Sequence, residues 1–95
     1  MTELDYVVRY INQRFGFCDQ QLFNSRSKRA VRARRAVYLA LRHLDWSLYE
    51  IGNAFGKHHT TVLFSLQKVK PIEEQFANRA VAFVHEEIRG YGLDD

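Results

Sequence analysis

Apolar residues recur at intervals of three and four along almost the whole chain, and this is the spacing of one face of an α-helix. The first such stripe consists of Leu4, Val7, Val8, Ile11 and Phe15. Gly16 follows it directly and suits the left-handed residue that often ends a helix. The periodicity is helical throughout, so the pattern predicts an all-α fold, a compact bundle of about five to six helices.

The later helices follow from the same spacing and from local start signals. Asp19 is predicted to cap a short turn that carries Leu22 and Phe23 into the core. A longer helix is predicted over about 29–44, and its buried residues are Ala33, Val37, Ala40, Leu41 and Leu44. A last helix over about 72–89 has Pro71 in its first turn and buries Phe76, Ala80, Phe83, Val84 and Ile88.

The length and composition set the domain count and the expected location. A chain of 95 residues, 46% of them apolar, can bury one core and is too short for two. We therefore predict a single domain over residues 1–95. No apolar run approaches the length of a membrane span, and the first residues lack the layout of a signal peptide. The single cysteine, Cys18, excludes an internal disulfide and favours a reducing compartment, the cytoplasm.

The net charge is only +3, but the charges are unevenly distributed. No acid occurs over residues 20–44, a stretch that contains Arg26, Lys28, Arg29, Arg32, Arg34, Arg35 and Arg42. Residues 51–72 again contain no acid, but they include Lys57, Lys68 and Lys70. Residues three or four apart lie on the same face of a helix, and one such face of the long helix carries Lys28, Arg32, Arg35 and Arg42. This distribution favours a polyanion as partner, although a solvated basic face would show the same composition.

Residues 47–70 have the sequence of a short helix, a tight turn and a second helix. Ser47 and Glu50 form a capping box that starts a helix over residues 48–55. Gly56 then allows the chain to turn sharply. This is a helix-turn-helix arrangement, in which the second helix lies in the major groove of DNA and its first residues meet base edges.

The second helix starts near His58 and buries Val62, Leu66 and Val69. Its start carries Lys57, His58, His59, Thr60 and Thr61. Histidine and threonine can donate to or accept from base edges, and the threonine methyl can contact the methyl of thymine. The same hydroxyls could instead do no more than cap the helix. Phe64 lies opposite Val62 and Leu66, so either the last helix covers it or it meets DNA or a partner.

Three other patterns suggest chemistry, but their spacing excludes it. Residues 52–58 resemble a phosphate-binding loop, yet they have three residues between the glycines instead of four and follow a helix instead of a strand. His58 and His59 point about 100° apart on a helix, and no second Cys/His pair lies at ligand spacing. His85 precedes a glutamate as in zinc proteases, but Arg89 stands where the second histidine belongs. We expect no metal, no cofactor and no catalysis.

From residue 22 to residue 69 the chain resembles the C-terminal duplex-binding domain of DnaA, the bacterial chromosomal replication initiator. The matching segments are Ser25-Arg26-Ser27-Lys28, Arg32-x-Arg34, Ser47-Leu48-Tyr49-Glu50-Ile51-Gly52-x-Ala54-Phe55-Gly56 and His59-Thr60-Thr61-Val62. The last of these blocks is specific to the family. The resemblance implies a Trp-repressor-like helix-turn-helix fold and double-stranded DNA as the partner.

The resemblance also implies roles for the matching positions. Arg26 would enter the minor groove, where a narrow A·T-rich tract attracts arginine. The residues that would read bases in the major groove are His59, Thr60 and Thr61, with His58 beside them. The residues that would hold phosphates are Arg32, Arg34, Arg42 and Lys57, and the basic surface adds Lys28, Arg35 and Lys68. The family usually has an aspartate at the position of His58, so we expect a different base preference there.

Together these features predict a monomeric, sequence-specific DNA-binding module. We expect it not to be an enzyme, because no segment of these 95 residues resembles the initiator's ATPase domain. It would bind sites like the initiator's box as a replication or transcription regulator associated with the bacterial nucleoid, with replication or transcription proteins as further partners. The alternative is a protein-interaction module that imitates the initiator's domain and occupies its partners. The intact basic stripe and base-reading face favour DNA binding over imitation.

Overall fold

The computed structural model describes residues 2–92, with side chains as far as Ile88, and within them it has six α-helices and no strand. In chain order these are α1 (Glu3–Phe15), α2 (Asp19–Asn24), α3 (Lys28–His43), α4 (Leu48–Phe55), α5 (His59–Gln67) and α6 (Pro71–Gly92). The predicted all-α bundle is confirmed, and each predicted helix is present with its ends shifted by at most a few residues.

Local capping determines where α4 begins and ends. The Ser47 hydroxyl accepts a hydrogen bond from the Glu50 N–H at 3.0 Å, and the Glu50 carboxylate accepts one from the Ser47 N–H at 2.9 Å. This is the predicted capping box. The hydrogen bond from the Ser47 N–H, and after it the Ser47 hydroxyl, stabilise the Glu50 carboxylate and hold the pKa of Glu50 below its ordinary value. Gly56 ends α4 with a φ of 64°, in the left-handed region that favours glycine, and Gly16 ends α1 in the same way.

The central helix is α3, which contacts each of the other five. Small side chains on its buried side let the neighbouring helices approach closely, and the alanines that lie there are Ala30, Ala33, Ala36 and Ala40. Val37 and Leu41 are also fully buried. Tyr38 is buried against the edge of the Phe55 ring, and this burial raises the pKa of its phenol.

The bundle is closed by α6, which packs on α1 and α3. Its fully buried apolar residues are Ala77, Ala80 and Val84. Phe83 packs its ring on Tyr6 and Tyr10 of α1, with centroid distances of 6.3 and 5.6 Å. Several residues predicted to be buried are half-buried: Leu44, Leu66, Val69, Phe76 and Phe83. Within residues 2–92, no helix is both long and apolar enough to cross a membrane.

Two details of the prediction are wrong. Asp19 does not cap α2, because it is the first residue of that helix and its carboxylate accepts a hydrogen bond from the Asn12 amide at 2.7 Å. The cap position is Cys18, whose N–H donates to the Gln21 side chain at 2.9 Å. Ile88 is 46% exposed instead of buried. α6 has 22 residues, against 13 in α1 and 16 in α3, so neither of these two helices is long enough to cover α6 along its whole length.

Candidate nucleic-acid interface

The turn between α4 and α5 depends on a glycine inside α4. The Lys57 N–H donates to the Gly52 carbonyl at 2.8 Å, which ties the turn back onto the helix. Gly52 is buried, and a Cβ at this position would lie 2.5 Å from the Lys57 carbonyl oxygen. No larger residue fits there unless the backbone moves. Gly52 belongs to the block that resembles the DnaA family, but the sequence does not show why a glycine is needed, because the requirement arises where two backbone segments meet.

His58 caps α5, and it does so with its ring. Its Nδ1 accepts a hydrogen bond from the Thr60 N–H at 3.3 Å and lies 2.7 Å from the Thr60 hydroxyl oxygen. Because Nδ1 accepts from the backbone, the neutral ring carries its proton on Nε2, which is then a donor. The Thr61 side chain is exposed and has no hydrogen bond to another described residue. The threonine hydroxyls are therefore not required as the cap, and the Thr61 hydroxyl is available to a ligand.

Aromatic rings pack together beside this helix start. His59 contacts both Tyr49 of α4 and His58, with ring centroids 4.2 Å apart in each pair. The Tyr49 and His59 rings are stacked at 29°, and Tyr49 is 64% exposed. Contact with two other rings restricts the orientation of the His59 ring. The part played by Tyr49 was not predicted, because it depends on how α4 and α5 are placed against each other.

Arg26, the remaining predicted base-reading residue, belongs to another segment, the loop before α3. There it lines a cavity of about 300 Å³ whose other lining residues are Lys28, Val31, Arg32, Arg35 and Lys70. Lys70 comes from the segment between α5 and α6, so the fold brings a basic residue of that segment to the start of α3. The sequence had marked Lys70 only as part of the basic middle, and the structure adds it to the predicted phosphate residues around Arg26.

Six of the seven predicted phosphate residues fall into two groups. Four of them have exposed side chains that make no hydrogen bond or ion pair with another described residue: Lys28, Arg32, Lys57 and Lys68. Two others have one nitrogen engaged by the backbone. Arg34 Nη1 donates to the Leu22 carbonyl at 2.8 Å, and Arg42 Nη1 donates to the Trp46 carbonyl at 2.7 Å. These two arginines hold local structure and keep their other N–H groups for a ligand.

Arg35 differs from the rest of the basic stripe. Its Nη1 lies 3.6 Å from Oε1 of Glu73, at the start of α6, and the two side chains are 17% and 1% exposed. Neither carboxylate oxygen of Glu73 accepts a hydrogen bond from the described residues. The nearby charge of Arg35 is therefore the main compensation for a buried carboxylate. Glu73 also compensates one of the positive charges that line the cavity around Arg26.

Phe64 is 58% exposed, so the first of the two predicted alternatives, burial under the last helix, is wrong. It lies on the outward side of α5, because Val62, two residues before it, is fully buried against the bundle. Among residues 2–92, no group of three or more His, Cys, Asp or Glu side chains is placed to hold a metal ion. The exposed side chains of α5 and of the turn before it are polar, basic or apolar, and the large apolar ones are Leu63 and Phe64.

Comparisons with known proteins identify the family of this chain. The model of the bacterial DnaA helix-turn-helix family matches residues 4–69. The chromosomal replication initiator protein DnaA of Synechocystis is 41% identical over 59 residues, which are 60% of this chain and 13% of that protein. The same protein of Thermus thermophilus is 39% identical over 71 residues, which are 72% of this chain and 16% of that protein.

A third relative gives the same result. DnaA of Oleidesulfovibrio alaskensis is 35% identical over 73 residues, which are 74% of this chain and 16% of that protein. This chain therefore spans only 13–16% of the length of these relatives. No solved structure matches the chain at a significant level. The family model covers more than half of the chain and ends just after α5, and the chain therefore belongs to the bacterial DnaA helix-turn-helix family.

Proposed function

We propose that this protein binds double-stranded DNA sequence-specifically, at sites like the initiator's box, and regulates replication or transcription there. One observation carries the proposal: polar side chains lie at the outward start of α5, within a stretch from residue 51 to residue 72 that contains no acid. Membership of the bacterial DnaA helix-turn-helix family supports DNA as the ligand. In a helix-turn-helix, this part of the second helix meets base edges in the major groove.

Each residue at the start of α5 has a distinct part in the proposed readout. Thr61 offers a free hydroxyl and methyl, and His59 presents a ring whose orientation Tyr49 restricts. The Thr60 hydroxyl is partly engaged by the cap, and its methyl group is proposed to meet a base edge. His58 donates from Nε2, whereas the aspartate usual in the family could only accept when ionised. A donor favours guanine, whose major-groove edge presents two acceptors, so we expect the base preference at this position to change.

Phosphates would be held on both sides of this readout. Lys57 and Lys68 flank α5, and Lys28 and Arg32 lie at the start of α3. The cavity lined by Arg26, Arg32 and Lys70 is a basic concavity of suitable charge for the DNA backbone. We propose that Arg26 reaches from the edge of this cavity into the adjacent minor groove of the DNA.

Selection of bound duplexes from a random library tests this function directly. We expect one preferred site, bound with a steep salt dependence, because each neutralised phosphate releases counterions. If about five phosphates are neutralised, log K should fall against log salt with a slope of roughly −4 to −5. A flat salt response, or no duplex binding at low salt, would favour the alternative of a module that imitates the initiator's domain.

Phosphate and base contacts should separate on mutation. Arg32→Ala should weaken binding to selected and random duplexes alike and reduce the salt slope by about 0.9. Thr61→Ala should cost roughly 1–3 kcal/mol on the selected site and little on random DNA. Both side chains are exposed, so neither change should alter Tm. Titration of each variant with both duplexes at several salt concentrations measures the two effects.

Arg34→Ala is the matched control, because it should also lower Tm. It removes the hydrogen bond to the Leu22 carbonyl, which contributes about 1 kcal/mol to stability. The assignment of roles fails if Arg32→Ala and Thr61→Ala lose specific and non-specific affinity in the same proportion.

A further inference from the structure

Phe64 occupies the middle of the outward face of α5. It follows Thr60 by four residues, and residues four apart lie on the same face of a helix. Lys68, the residue that caps the end of α5, follows Phe64 by four residues. Val62 and Leu66 lie on the other side, where Val62 is fully buried and Leu66 is half-buried. The phenyl ring is 58% exposed. An apolar ring thus stands between a proposed base-reading residue and a proposed phosphate contact.

The surroundings of the ring favour DNA over a protein as its partner. No acidic residue occurs between residues 51 and 72, so nothing in this stretch repels the DNA backbone. The exposed cation Lys68 lies at the C-terminal end of α5, as its cap residue. A contact that brings Thr60 to a base edge and Lys68 to a phosphate encloses Phe64 between them. The ring is therefore continuous with the proposed DNA surface.

Building on the proposed function, we propose that Phe64 contacts the 5-methyl group of a thymine in the major groove. The phenyl ring has no donor or acceptor, and the methyl of thymine is the apolar group that bases present in this groove. Four residues of helix advance by about 6 Å, which is roughly two base pairs at about 3.4 Å each. The thymine should therefore lie within about two base pairs of the base that Thr60 meets.

Replacement of thymine by deoxyuridine tests this contact, because it removes the methyl group and nothing else. Each thymine of the duplex selected for the wild-type protein is replaced in turn, and the affinity is measured. We expect one replacement to weaken wild-type binding about fourfold, the value of one buried methylene or methyl group. Phe64→Ala should weaken binding to the parent duplex and abolish the response to that one replacement. The responses at other thymines should persist.

Ile88→Ala is the matched control, since Ile88 is another exposed apolar side chain but lies on α6. This variant should retain the wild-type response to every replacement. The proposed function itself fails if the wild-type protein selects no duplex. The Phe64 contact alone fails if the protein selects a site but no thymine response depends on Phe64. A Phe64→Ala variant that keeps its DNA affinity and every thymine response would mean that the ring serves a protein partner instead.

Discussion

Replacement of Gly52 by alanine is expected to destabilise the protein and to abolish sequence-specific DNA binding. In an ordinary helix interior the same change stabilises by roughly 1 kcal/mol, because glycine is a poor helix former. Here the new Cβ would lie 2.5 Å from the Lys57 carbonyl oxygen, which is backbone and cannot rotate away. Overpacking of this kind costs about 1–3 kcal/mol, which lowers Tm by roughly 5–15 °C in a domain of this size.

The effect on DNA binding should exceed the effect on stability. Relief of the clash must move Lys57 and with it the start of α5, where the His58 cap and the stacked His59 ring are placed by the turn. A shift of about 1 Å in a positioned group can cost about a hundredfold in function. We therefore expect binding to the selected site to fall to the level of random duplex while the helical content remains.

Gly16→Ala provides a control of comparable stability cost. Gly16 has a φ of 70° at the end of α1, and no atom lies within 4 Å of a Cβ added there. Alanine in this left-handed conformation costs roughly 1–2 kcal/mol. This variant should lose stability and keep its DNA specificity. Thermal melts and binding titrations of both variants make the comparison, and normal binding by Gly52→Ala would show that the turn accommodates a side chain.

The parts of the fold that were predicted correctly depend on short stretches of sequence. The Ser47–Glu50 capping box, the left-handed Gly16 and Gly56, and the buried stripe of α3 each follow from rules that span four to seven residues. Helix spacing also placed Phe64 opposite the buried Val62. Such features depend on neighbouring residues in the sequence, and the folded chain therefore shows them as predicted.

The parts that were missed depend on contacts between segments. Gly52 matches the family pattern, but its steric role is visible only where α4 meets the backbone of the next turn. Tyr49 belongs to the exposed side of a short helix and gains its role by stacking on His59 of the next one. Glu73 has the sequence position of an ordinary acid in the first turn of a helix, yet it is 1% exposed. Helical periodicity does not indicate which turn of a helix will be covered by a neighbouring helix, so the burial of Glu73 could not be predicted from it.

Removal of only one partner of the buried Arg35–Glu73 pair is expected to destabilise the protein strongly. Arg35→Ala leaves the Glu73 carboxylate buried without its counter-charge, and removal of one partner of a buried pair costs about 3–5 kcal/mol. This is a large fraction of the roughly 5–15 kcal/mol that stabilises a typical domain. Chemical denaturation should therefore show a much lower unfolding midpoint. Arg32→Ala, one turn earlier on the exposed side of α3, should leave that midpoint unchanged.

A double variant separates the charge effect from the loss of packing. Arg35→Met combined with Glu73→Leu replaces both partners by apolar side chains of similar size, and such replacements are often neutral or stabilising. We expect the double variant to unfold close to the wild-type midpoint, well above Arg35→Ala. Because the pair carries no net charge, its removal should also leave the salt slope of DNA binding unchanged. A slope reduced by about 0.9 would instead show that Arg35 neutralises a phosphate. The DNA backbone would then bind in the cavity that Arg35 and Arg26 line.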